Sequence, residues 1–248
     1  MLHFIDQRKR SDLNSNKNGT KTTRDILDFA LADPEYAASI EELVDQMKTF
    51  FFAGHDTTAA TISWALYFLH QNPTELEHLR KEHDAVFGAG TSPAEVARKF
   101  IEDPNIHIKL EFTLAVVREA LRLEPPASLA KTAPKNYYVT TRSGATVHIP
   151  EGALIYTSGW MVHHNKQVWG EDADEFKPER FMHGNPIPWG YMPFGKRPRD
   201  CIGMNLAYLE VPCSFLCDLS RRKLPWHLLP VHSISSLQSN ISEFCEEL

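Results

Sequence analysis

Residues 194–203 read Phe194-Gly195-Lys196-Arg197-Pro198-Arg199-Asp200-Cys201-Ile202-Gly203. Gly, Pro and Asp here predict a loop, and the apolar residues that follow predict a helix starting at about Ile202. A cysteine at such a junction meets the backbone N–H groups and positive dipole end of a helix, which suits a nucleophilic or metal-binding sulfur. Arg197 and Arg199 offer cations for acidic ligand groups. Gly203 lacks the side chain that would block a flat ligand from the backbone. On these residues alone, an inert cysteine in a basic loop is an equal alternative.

Three upstream segments bear on that choice. Glu119 and Arg122 stand three apart in a stretch of helical spacing, so they share a face and can pair. Any Glu-x-x-Arg reads by default as a surface ion pair, contributing about 0–1 kcal/mol. Phe176-Lys177-Pro178-Glu179-Arg180-Phe181 supplies another arginine downstream. The run Ala53-Gly54-His55-Asp56-Thr57-Thr58 puts poor helix formers in the middle of an apolar helical stretch. Thr and Asp there can loosen the helical ladder and admit a ligand or water, a local conflict of the kind found at functional sites.

Taken together and in order, these four segments resemble the cytochrome P-450 family. Phe194, Gly195, Arg199, Cys201 and Gly203 match the spacing of its haem-binding loop, with Arg197 where the family usually has Gly. The resemblance implies that Cys201 ligates the iron of haem b through its thiolate. It also implies a buried network of Glu119, Arg122 and Arg180 behind the haem. Gly54, Asp56 and Thr57 are then assigned to oxygen activation, the glycine making room for dioxygen and the other two guiding protons. Lys131, after the Pro125-Pro126 turn, lies where the family commonly has an arginine that reaches a haem propionate.

The implied fold is mainly α with a minor β-sheet, the C-terminal haem-binding half of the family's architecture. The implied activity is monooxygenation of an apolar small molecule, a lipid or secondary metabolite, with O2 and electrons from NADPH through a cytochrome reductase. Full-length relatives of this eukaryotic, fungal-like type reside in the endoplasmic reticulum membrane through an N-terminal anchor. Two other readings are a non-catalytic remnant with weak haem binding, and a haem-thiolate isomerase or peroxygenase. Asp56 and Thr57 favour the monooxygenase over the latter.

Composition agrees with a globular chain. Its 248 residues are 42% apolar and 23% charged, which is ordinary for a packed domain. A net charge of −6 argues against a nucleic-acid partner, and Arg8-Lys9-Arg10 and Arg221-Arg222-Lys223 read as solvated surface. Cys201, Cys213, Cys217 and Cys245 do not form a secreted disulfide pattern, nor do they carry zinc spacing. No apolar run of about 20 residues occurs, and residues 1–24 lack a signal-peptide core.

Organisation follows from the same reading. Residues 1–24 predict a polar loop, 25–211 a partial haem domain, and 212–248 a divergent Ser-rich tail of a truncated or mis-spliced product. Helices are predicted after Asp25, from Ser39 to about His70 with an apolar, interior middle, from Pro73 to Phe87, over Ser92–Phe100 and over His107–Leu123. Hairpin strands are predicted between Ala133 and Thr157, then Trp-, Pro- and Gly-rich loops up to Cys201. The last helix meets Pro212, which costs about 3 kcal/mol in a helix interior, and the composition then turns Ser-rich. The twelve histidines, His163 and His164 among them, read as ordinary loop and surface residues.

Overall fold

A computed structural model describes residues 26–33, 39–141, 143–183, 187–196 and 198–220. The expected N-terminal loop, Arg197 and most of the expected tail lie outside the described residues. By internal contacts the chain divides into two compact units, Met1–Asp56 and Thr57–Leu248. The described residues are helix-dominated with small antiparallel sheets, as the sequence predicts.

In the first unit, helix α1 (Ile26–Ala32) packs Leu27 against Leu43 of α2 (Ile40–Gln71), with Ala30, Leu31, Val44 and Met47 around them. Ser39 accepts the Glu42 N–H at 3.2 Å, so the predicted N-cap is present. The interior middle of α2 is present from Ala59 onward, where Ala59, Ile62, Ala65 and Leu66 are buried, but is corrected before it: Phe50, Phe51, Phe52 and Gly54 are exposed. Successive helical residues turn by about 100°, so three adjacent phenylalanines cannot all face one small cluster.

The second unit holds the principal core. Ile62, Ala65, Leu66 and Leu69 of α2 pack with Leu76 and Leu79 of α3 (Pro73–Phe87) and with Val116, Val117, Ala120 and Leu121 of α5 (Glu111–Leu123). Between them, α4 (Pro93–Glu102) starts with a reciprocal Ser92–Glu95 capping box, and a 3-10 helix covers Pro104–Lys109. This corrects the helix expected from His107, because Leu110 breaks the run and α5 begins one residue later. Leu110 has no side chain to cap α5. Glu82 of α3 does so instead, accepting from the Phe112 N–H at 2.6 Å, the Thr113 N–H at 2.9 Å and the Thr113 hydroxyl at 2.6 Å.

Strand β1 (Leu129–Thr132) pairs antiparallel with β4 (Leu154–Thr157), and β2 (Tyr137–Thr140) with β3 (Thr146–Ile149). β1 precedes the region where strands are predicted. The predicted loops that follow contain α6 (Gly159–His163), α7 (Lys166–Trp169) and a 3-10 turn at Pro178–Phe181. Helix α8 (Met204–Ser220) runs through Pro212. Pro212 and Val211 are buried, and that packing offsets the lost backbone bond. No helix among the described residues is long and apolar enough to cross a membrane.

Candidate haem-thiolate site

The loop before α8 is built around two backbone bonds. Gly195 N–H donates to the Met192 carbonyl at 3.0 Å, and Cys201 N–H donates to the Phe194 carbonyl at 2.8 Å. Gly195 has φ +75°, a left-handed conformation that glycine adopts without penalty. A Cβ there would lie 3.1 Å from Leu129 Cδ1, so β1 passes close beside the loop. Phe194 turns inward and meets Tyr208 of α8 edge-on, with ring centroids 5.2 Å apart. Lys196 Nζ donates to the Pro188 carbonyl, which ties the loop back on itself.

Cys201 is a free, exposed cysteine. One expectation needs correction: its own N–H is bonded to Phe194, and the helix begins three residues later at Met204. A Cβ on Gly203 would lie 3.7 Å from the Cys201 sulfur, so glycine keeps that side of the sulfur open. Ile202 and Leu206 beside it are exposed, as are Arg199 and, on β1, Lys131. An accessible soft donor with exposed apolar residues and the Arg199 cation near it in sequence has the chemistry a thiolate-ligated haem with propionates requires. The residues present fit that group.

Behind the loop, Glu119 and Arg122 of α5 are both fully enclosed and paired through two bonds, Nε to Oε2 at 2.7 Å and Nη2 to Oε1 at 2.9 Å. Arg122 also donates to the carbonyls of His163 at 2.8 Å, Ala173 at 2.6 Å and Glu175 at 3.1 Å. Glu119 Oε1 accepts the Lys177 N–H at 2.9 Å. Arg180 Nε stands 3.5 Å from Glu119 Oε1, within ion-pair range but without a hydrogen bond. Its Nη2 instead donates to the Asp172 carboxylate at 2.8 Å and carbonyl at 2.7 Å. The surface reading of Glu119 and Arg122 is excluded, and the structure brings all three charged residues together. Hydrogen bonds from Lys177 and Arg180 hold the Asp172 carboxyl down, at about 2.

Gly54, Asp56 and Thr57 lie on α2, which is continuous α-helix through them. The loosened ladder expected there is corrected: the Thr61 hydroxyl donates to the Thr57 carbonyl at 2.8 Å without breaking the helix. Asp56 Oδ1 is 3.2 Å from His55 Nδ1, and Asp56 and Thr57 are half-buried.

A model of the cytochrome P-450 family matches residues 1–221. The chain belongs to the cytochrome P-450 family. A cytochrome P-450 monooxygenase of Aspergillus aculeatus is 34% identical over 229 residues, covering 81% of this chain and 46% of its own. A cytokinin hydroxylase of Arabidopsis thaliana is 37% identical over 173 residues, 69% and 31% of the two chains. Cytochrome P-450 4X1 of Rattus norvegicus is 32% identical over 238 residues, 93% and 44%. This P-450 chain therefore spans less than half the length of these relatives.

The sequence reading missed three participants. His163 is fully buried, not a surface residue, because its ring is enclosed against Arg122 and Tyr191. His83 is also buried, with Nε2 2.8 Å from the Thr113 hydroxyl. Burial lowers both imidazoles to about 4. Asp172, the partner of Arg180, carried no signal beyond lying a few residues before the Pro-Glu-Arg-Phe run.

Proposed function

We propose that this chain is the haem-binding part of a haem-thiolate monooxygenase, in which the Cys201 thiolate would hold the iron. The observation that carries the reading is the exposed thiol of Cys201, on a loop shaped by Gly195 at positive φ and opened by Gly203. Phe194, Gly195, Arg199 and Gly203 form the loop around the cofactor, and Arg199 and Lys131 supply cations for its propionates. Haem bound through a thiolate supplies oxygen activation, since sulfur donation favours O–O cleavage. Glu119, Arg122 and Arg180 hold the fold behind the loop. Gly54 leaves space on α2 for dioxygen, and Asp56 with Thr57 passes protons toward it.

The substrate class is an apolar small molecule, with O2 as co-substrate and NADPH-derived electrons delivered by a cytochrome reductase. The family relationship supports these proposals, together with residence of the whole protein at the endoplasmic reticulum membrane. We assign the haem domain to residues 25–211 of this chain.

Adding haem to the purified chain and recording the reduced carbon monoxide complex tests the reading. The long-wavelength Soret band of thiolate ligation is expected, and it is lost in Cys201→Ser. A chain that folds but takes up no haem would instead be the non-catalytic remnant. Turnover driven by peroxide alone would point to a peroxygenase.

A further inference from the structure

His163 ends α6 and is fully enclosed, although it lies in a polar His-His-Asn run. It is tied twice to Arg122. Arg122 Nη1 donates to the His163 carbonyl at 2.8 Å, and His163 Nδ1 lies 2.8 Å from the Arg122 carbonyl. The other ring nitrogen, Nε2, is 2.9 Å from the backbone nitrogen of Met192. A backbone amide can only donate, so Nε2 accepts and Nδ1 carries the hydrogen that the Arg122 carbonyl takes. One neutral tautomer satisfies both contacts. Tyr191 stacks on the ring at 5.7 Å, and Trp169 meets it edge-on at 6.4 Å, so the imidazole has little freedom to turn.

Met192 belongs to no helix or strand, so no ladder fixes its amide. From Met192 the bonding runs on to the sulfur-bearing residue: the Met192 carbonyl accepts the Gly195 N–H, and the Phe194 carbonyl accepts the Cys201 N–H. A series of hydrogen bonds thus links the buried Glu119–Arg122 pair to the Cys201 loop, and it passes through the His163 imidazole, Nδ1 on the Arg122 side and Nε2 on the Met192 side.

We propose that His163 is a positioning residue for the Cys201 loop: its Nε2, oriented by Arg122, holds the Met192 amide and so sets how residues 192–201 present the thiol. The functional consequence rests on reading Cys201 as the haem ligand. Were His163 only core filling, any polar side chain of similar size would serve alike. The two carboxamides separate these cases, because asparagine places a polar atom near Nδ1 and glutamine places its carbonyl near Nε2. Only His163→Gln can still accept the Met192 N–H.

The test uses the full chain. Nitrogen NMR of the labelled histidines near neutral pH is expected to show His163 protonated on Nδ1 and bare on Nε2; a proton on Nε2 overturns the proposal. Amide exchange over 192–203 is expected to rise about tenfold or more in His163→Asn and to stay near the parent in His163→Gln, with 114–121 of α5 unchanged in both. Equal exchange in the two variants, whether fast or slow, overturns it. Should His163→Asn fail to fold, the tautomer in the unaltered chain decides. Cys201→Ser separates the two readings: it is expected to abolish the thiolate spectrum without changing exchange over 192–203. An unchanged spectrum sinks the ligand assignment alone, whereas the exchange and tautomer results bear on His163 alone.

Discussion

Glu119 and Arg122 face each other across one turn of α5, joined at 2.7 and 2.9 Å with neither side chain exposed. Desolvation offsets most of the attraction in such a pair, so its net contribution is small while the loss of one partner is costly. In Glu119→Gln the guanidinium keeps its three carbonyl acceptors but loses its counter-charge. Urea unfolding is expected to show a loss of about 3–5 kcal/mol, a large share of a domain's usual stability. A loss below about 1 kcal/mol, typical of exposed pairs, would contradict the geometry.

Arg180→Ala is expected to cost less, about 1–3 kcal/mol in the same measurement. Its side chain retains some exposure, its Nε only approaches Glu119, and its strongest contacts go to Asp172, which is itself in contact with solvent. A double-mutant cycle with Asp172→Ala should recover part of the loss as coupling energy. If Arg180→Ala proved as costly as Glu119→Gln, Arg180 would have to be an equal member of the buried pair.

Much of this arrangement is legible in the sequence because the signals are local. The spacing of Glu119 and Arg122, the glycines around Cys201 and the apolar stripe of α5 all lie within a few turns or one loop. What stayed hidden depends on distant partners. His163 is buried by Arg122 and Met192, 41 and 29 residues away, and nothing in His-His-Asn announces either. Strand β1 reads Leu-Ala-Lys-Thr, without apolar alternation, and exists because it pairs with Leu154–Thr157. Pro212 is unfavourable in a helix interior, yet burial at Val211 and Pro212 carries α8 through it. The run of Phe50 to Phe52 misleads in the other direction, since apolar composition alone does not say which faces are covered.

Two imidazoles make stability depend on pH in a definite direction. His83 and His163 are held neutral by burial, at about 4 against 6.5 for a solvated histidine. Between those values the unfolded chain binds the extra protons, so stability is full above about pH 6.5 and declines as pH falls toward 4. Each lowering corresponds to roughly 3 kcal/mol. Asp172, held at about 2, adds a second decline in the same direction at lower pH, as its carboxylate is protonated below the ordinary value of 3.8. Urea midpoints measured from pH 7 down to pH 4 should fall steadily, and His163→Gln should flatten the slope. A midpoint that holds constant over that range would mean that the two rings are solvated.

Gly195→Ala probes the loop itself. Two separate costs arise at this position: a side chain at φ +75° carries about 1–2 kcal/mol of left-handed strain, and its Cβ would stand 3.1 Å from Leu129 Cδ1. The second is relieved by shortening the neighbour, the first is not. Stability loss in Gly195→Ala is therefore expected to exceed the strain alone. Leu129→Ala in the same chain should recover only the contact part, because Leu129 is itself partly exposed and loses little on truncation. Full recovery would show that β1 sets the backbone of the Cys201 loop by contact. No recovery would show that the dihedral angle sets it, and that the loop keeps its shape without β1 beside it.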